Sequence, residues 1–218
     1  MKRRAAILLS GRGTNMTALI EAAAAPDFPA EIALVVSNRP GAGGLARAER
    51  AGIPALAIDH RPFHGDRAAH EHRIAAALDA AGIEIVCLAG YMRLLTPFLV
   101  ERYRGRMLNV HPSLLPAFPG LDTHARALAA GVKLHGATVH LVTETMDEGP
   151  ILAQAAVPVL PSDDPDTLAA RVLAQEHVIY PMALRLVAAC HGGPLTPGAA
   201  PDATAALLNP LPVRSRVP

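Results

Sequence analysis

The feature that most limits the fold of this chain is the rhythm of its first ninety residues, where short apolar runs alternate with helical stretches. The runs at 5–9, 32–37, 55–58 and 83–89 are almost continuously apolar and read as strands one to four. Between them lie helical candidates at 15–24, 45–51 and 66–81. Gly52 and Gly82 stand just past two of these helices, where a left-handed C-terminal residue belongs. A strand that is apolar on both faces must be covered on both faces. The order βαβαβαβ therefore predicts a parallel sheet with helices on either side.

Beyond residue 90 the pattern loosens. A short helix is expected at 97–103 and a short strand at 106–110, followed by a loop holding Pro112, Pro116 and Pro119. Another helix is expected at 121–130. The segments 135–142 and 151–159 alternate in polarity and read as an antiparallel pair. A long helical region covers 166–189, with Pro181 expected to kink or divide it. The reading is an α/β chain with an open, mostly parallel, doubly wound sheet of about seven strands and helices on both faces. One domain is expected over residues 1–191, and a loosely ordered tail rich in Gly, Pro and Ala over 192–218.

Composition removes several classes of function. Net charge is +1, from 20 basic and 19 acidic residues, with no Lys/Arg stripe, so a nucleic-acid partner is not expected. No apolar run approaches the roughly 18 residues of a membrane span. The basic start followed by residues 5–9 is too short for a secretory signal. Cys87 and Cys190 share no metal-type spacing, Cys87 reads as a small core residue, and the pattern suits a reducing cytoplasm. The pairs His60/His64 and His70/His72 read as surface residues without a third ligand, so no metal is expected. His135 and His140, five apart on one strand, face opposite ways.

Ligands of open α/β sheets bind beyond the carboxyl ends of the strands. That rule gathers residues 10–15, 37–38, 90–93 and 109–113 onto one rim. Ser10-Gly11-Arg12-Gly13-Thr14-Asn15 joins strand one to a helix. It lacks the Gly-Lys of a triphosphate loop and the third Gly of a dinucleotide fingerprint, where Met16 stands. What remains is a monophosphate site on Gly13, Thr14 and Asn15, or a tight turn capped by Thr14 or Asn15. Asn109 and His111 share a face if their strand continues, and Pro112 then ends it. An amide beside an imidazole can polarise a carbonyl and manage a proton, or simply stabilise the turn. Asp147, in Met146-Asp147-Glu148-Gly149-Pro150, either orients a histidine or belongs to a plain hairpin turn.

Taken together, Ser-Gly-Arg-Gly-Thr-Asn at 10–15, Leu-Ala-Gly-Tyr-Met-Arg at 88–93, Asn-Val-His-Pro-Ser-Leu-Leu-Pro at 109–116, Phe-Pro-Gly-Leu-Asp-Thr-His at 118–124, Met-Asp-Glu-Gly-Pro at 146–150 and Gln-Glu-His at 175–177 carry a resemblance. They resemble the folate-dependent glycinamide ribonucleotide transformylase family of purine biosynthesis, in order from about residue 5 to about residue 190. The resemblance implies transfer of a formyl group from 10-formyltetrahydrofolate to the amine of glycinamide ribonucleotide. It implies a catalytic set of Asn109, His111 and Asp147. Gly13, Thr14 and Asn15 would hold the substrate phosphate, and Glu176 would bind the ribonucleotide. Arg67 and Met92, Arg93, Leu94 and Leu95, with Asn109, would line the folate pocket. A cytoplasmic monomer or homodimer is expected. Asp122 stands where the family often has His, so it is expected to meet His111 or a substrate amine instead.

Related formyl-handling families compete. Methionyl-tRNA formyltransferases resemble this chain around Asn-x-His-Pro-Ser but carry a C-terminal barrel. Formyltetrahydrofolate hydrolases carry an N-terminal regulatory domain, and sugar-nucleotide formyltransferases are less suited to the Gly13-Thr14-Asn15 loop. A non-catalytic folate or nucleotide binder would share the fold, since fold alone does not give function. It would have no use for Asn109, His111 and Asp147 in combination.

Overall fold

The computed structural model describes residues 1–190; the expected tail at 192–218 lies outside them. Seven strands form one sheet in the order β3-β2-β1-β4-β5-β6-β7. The parallel part comprises β1 (Arg3–Leu9), β2 (Ala30–Ser37), β3 (Ala55–Ala57), β4 (Ile85–Leu88) and β5 (Met107–His111). β6 (Leu134–Leu141) and β7 (Ile151–Pro158) extend it antiparallel.

The double apolar character of the strands has the predicted cause. In β1, Ala5, Ile7 and Leu9 enter one core while Ala6 and Leu8 enter the other. The first core is closed by α1 (Thr14–Ala23), α2 (Gly43–Arg50), α5 (Thr123–Ala129) and α6 (Pro165–Ala189). The second is closed by α3 (Arg67–Ala80) and α4 (Pro97–Arg102). The buried Tyr180 of α6 donates to the carbonyls of Leu88 and Leu108, at 3.0 and 3.2 Å, and so ties the helix to the ends of β4 and the middle of β5.

Three expectations need correction. Pro181 does not divide the last helix, which runs unbroken from Pro165 to Ala189. Ile179, Tyr180, Ala183 and Leu184 are fully buried around it, and that packing outweighs one lost backbone bond. The helix expected at 121–130 begins only at Thr123, because Asp122 takes a left-handed turn with φ 55°. His70 is not a surface residue. It lies on the sheet-facing side of α3, 1% exposed, with Nε2 2.8 Å from the Ile58 carbonyl.

The chain reverses direction across the sheet at β1. From β1 it winds outward to β2 and β3, then returns to β4 on the other side of β1. Such a switch point leaves a crevice beyond the strand ends. Ser10 binds its lips together. Its N–H donates to Gly90 O at 3.0 Å, and its Oγ donates to Asn38 Oδ1 at 2.5 Å and accepts from Met92 N at 2.8 Å.

Candidate active site

The loop after β1 ends on Gly13, which is the N-cap of α1 with φ 77° and provides no side-chain cap. Neither Thr14 nor Asn15 caps the helix, so the tight turn from β1 into α1 is made without the expected side-chain cap. A Cβ on Gly13 would stand 3.0 Å from Gly44 Cα, so both the backbone angle and the close approach favour glycine here. The first N–H groups of α1 are left without intrahelical partners, and the helix dipole favours an anion there.

Asn15 is placed differently from a simple phosphate ligand. Its Nδ2 donates to Glu176 Oε2 at 2.6 Å, which brings α1 and α6 together. Its Oδ1 is buried without a partner. The side chain therefore offers a free acceptor, with one Nδ2 hydrogen committed to Glu176, while the backbone N–H of Asn15 can serve an anion. Burial pushes the Glu176 carboxyl up, opposed by the Asn15 hydrogen bond and the nearby His111.

The second half of the site hangs on β5 and the β6–β7 loop. β5 continues through His111, so Asn109 and His111 project on one face, with Asn109 opposite His140 and His111 opposite Thr138. Asp147 sits on the connecting loop with φ 60°. Its Oδ2 accepts from Gly120 N at 2.9 Å and lies 3.5 Å from His111 Nδ1. His111 Nε2 is 3.0 Å from the Phe118 carbonyl. An imidazolium at His111 would thus face an oxygen at each nitrogen. Gly149 permits the loop to close: a Cβ there would lie 1.7 Å from Leu141 O.

His140 belongs to this cluster, although nothing in its local sequence marks it. It is 2% exposed, and burial is the main cause that holds its imidazole below the usual range. Nδ1 lies 2.9 Å from the Leu141 carbonyl and so carries the proton, leaving Nε2 as an acceptor. Nε2 is 3.3 Å from Asn109 Nδ2 and 3.8 Å from Asp147 Oδ1. It therefore fixes which way the Asn109 amide points. His135, on the other face, meets His124 at 3.2 Å instead.

Other predicted residues are more open. Met92 and Leu94 are 67% and 55% exposed, on the loop between β4 and α4. Arg93 and Leu95 are half-buried there, and Arg67 is exposed at the start of α3. The loop is anchored at its end by the buried Glu71, which accepts from Thr96 N and Oγ1 at 2.7 and 2.5 Å. Asp122 is exposed, and its side chain reaches neither His111 nor any other partner among the described residues. The same residues include no group of three or more His, Cys, Asp or Glu placed to hold a metal.

The formyl transferase family matches residues 3–184. The chain belongs to this family. Among curated relatives of this formyl transferase is a phosphoribosylglycinamide formyltransferase of Haemophilus influenzae, 42% identical over 84% of this chain and 86% of that protein. A trifunctional purine biosynthetic protein adenosine-3 of Drosophila melanogaster is 46% identical over 85% of this chain, which spans only 14% of that much longer protein. Among solved structures, phosphoribosylglycinamide formyltransferase from Brucella melitensis superposes with a TM-score of 0.83 at 57% identity, covering 89% of this chain and 100% of the other.

In a formyl transferase this arrangement supplies two kinds of group to one crevice. An amide donor and an imidazole of this kind can stabilise charge that develops on a carbonyl oxygen. A carboxylate beside an imidazole can stabilise its cation and accept a proton through water.

Proposed function

We propose that this chain transfers the formyl group of 10-formyltetrahydrofolate to the amine of glycinamide ribonucleotide, in purine biosynthesis. The observation that carries the reading is the meeting of Asn109, His111 and Asp147 in one cluster, on a chain 42% identical to a phosphoribosylglycinamide formyltransferase over most of both lengths. Residues 1–191 act in this reading as one catalytic domain. A cytoplasmic setting fits the two free cysteines, and no described helix is long and apolar enough to cross a membrane.

The chemistry follows from the positions. Gly13, Thr14 and Asn15 hold the substrate phosphate through backbone N–H groups. Glu176, oriented by Asn15, accepts from the ribonucleotide. Arg67 and residues 92–95 receive the folate, whose apolar body covers the exposed Met92 and Leu94. The neutral amine attacks the formyl carbon, and the carbonyl π pair moves to oxygen. Asn109 Nδ2 and the His111 cation stabilise that oxyanion. As it collapses, the bond to the folate N10 breaks. The amine's surplus proton leaves by way of a water at Asp147, and N10 takes up a proton. The products are formylated ribonucleotide and tetrahydrofolate. No covalent enzyme intermediate is needed, since a neutral amine is already a nucleophile.

The test is deformylation of 10-formyltetrahydrofolate by the purified protein, with and without glycinamide ribonucleotide. Release that requires the ribonucleotide is expected. Equal release without it would replace transfer by hydrolysis, and wild-type turnover in Asn109→Ala or His111→Ala would remove the catalytic assignment.

A further inference from the structure

The loop between β5 and α5 touches both charged members of the candidate site through its backbone. Phe118 O lies 3.0 Å from His111 Nε2, and the Gly120 N–H donates to Asp147 Oδ2 at 2.9 Å. Yet residues 118–121 form no hydrogen bond to other backbone groups among the described residues. Phe118 and Asp122 also take left-handed conformations, with φ 53° and 55°. L side chains rarely adopt that region, and it persists where surrounding contacts impose it. Something other than a backbone ladder must hold this segment.

Three side chains do so. Two are His111 and Asp147 themselves. The third is Arg126, whose Nη1 donates to Pro119 O at 2.5 Å and to Leu121 O at 3.3 Å. A helical side chain leans toward its own N-terminus, so Arg126 reaches back from α5 over the first turn to the loop that precedes it. Its guanidinium carbon also stands 5.7 Å from the centre of the Phe118 ring, within cation–π range. Arg126 is exposed and pairs with no carboxylate among the described residues, so its donors are free for the two carbonyls. Those carbonyls flank Gly120, and the ring it covers belongs to the residue whose carbonyl faces His111.

We propose that Arg126 is a positioning residue for the reaction: it tethers residues 118–121 so that Gly120 N–H orients the Asp147 carboxylate and Phe118 O orients the His111 ring. Arg126 itself touches neither His111 nor Asp147 and acts only through the loop. The kinetic side of the proposal rests on the formyl-transfer reading above.

The experiment compares wild type, Arg126→Ala and Arg126→Lys by steady-state formyl transfer, thermal melts and the imidazole nitrogen NMR shifts of ligand-free protein. An exposed charged hydrogen bond biases a local equilibrium roughly 5-fold, so two of them set a ceiling of roughly 25-fold on the loss. Arg126→Ala should lower kcat by roughly 3–25-fold, with KM for both substrates and Tm little changed. Arg126→Lys keeps a cation beside Phe118 and a donor for one carbonyl, and should recover part of the loss. The His111 nitrogen shifts should move in Arg126→Ala, while those of His60, bound to Asn38, should not. Wild-type kcat in Arg126→Ala overturns the proposal, as do unmoved His111 shifts. A loss of kcat accompanied by a lower Tm and a raised KM for both substrates makes Arg126 a structural residue and overturns it too. No formyl transfer by wild type would instead sink the proposed reaction, and the His111 shifts would still decide whether the tether exists.

Discussion

Replacing His140 with Leu tests whether the Asn109 amide is held in place by its neighbour. In the wild type, Asn109 Nδ2 donates to His140 Nε2 at 3.3 Å, and that nitrogen is an acceptor because Nδ1 is committed to the Leu141 carbonyl. A neutral hydrogen bond of about 1 kcal/mol favours this amide orientation over its flipped form by about fivefold. Leu removes the preference, so the amide divides between two orientations. Only one presents a donor to a developing oxyanion. The productive share of the amide falls from about five-sixths to about a half, so the expected loss in kcat is roughly twofold with KM little changed, against ~10²–10³-fold for Asn109→Ala, which deletes the donor. The two effects should not add: in an Asn109→Ala background, His140→Leu should cost almost nothing further. The assay is steady-state formyl transfer on variants shown by thermal melts to be folded. A His140→Leu loss as large as that of Asn109→Ala, or full additivity in the double variant, would refute the positioning argument.

Gly149→Ala places a Cβ 1.7 Å from Leu141 O, so the loop carrying Asp147 must move. Overpacking of this kind costs about 1–3 kcal/mol, seen as a Tm lower by roughly 3–10 °C together with reduced kcat, and an unchanged Tm would contradict the close approach. Glu176→Gln keeps an acceptor for Asn15 but removes the charge. KM for the ribonucleotide should rise about 5–10-fold with the folate KM unaltered, and the converse pattern would move Glu176 out of the ribonucleotide site. His135 is 1% exposed, and burial, followed by the neighbouring His124, lowers its pKa from 6.5 to about 4. Its contribution to stability is complete above pH 6.5. It is lost as pH falls toward 4, because the unfolded chain takes up a proton that the native chain refuses. The loss is on the order of 3 kcal/mol. Urea unfolding at several pH values should show a smaller acid loss in His135→Leu than in wild type, and identical slopes would exclude His135 as a source.

The parallel half of the sheet was legible from residues 5–89 because each buried strand is a nearly unbroken apolar run, separated from the next by a stretch of helix-forming residues. That Asn109 and His111 share a face was legible from their spacing on one strand, whereas Asp147 joined them only through the family resemblance. His140 was not legible. Its strand alternation places it on a face, but only the antiparallel register of β5 on β6 sets it opposite Asn109. His70 was misread for a related reason: α3 is weakly amphipathic, and its inward face becomes visible only when Ile74 and Leu78 are seen packed against the sheet.

Sequence alone determined the local matters in this protein: where strands and helices fall, where glycines turn the chain, and which short motifs carry chemistry. Those depend on neighbours along the chain. Tertiary structure decided which ring nitrogen faces Asp147, that Asn15 is bound to Glu176 from a helix 161 residues away, and that the Gly120 N–H meets Asp147. Such contacts join residues distant in sequence. Their geometry is set by strand register and helix packing, which no single segment encodes.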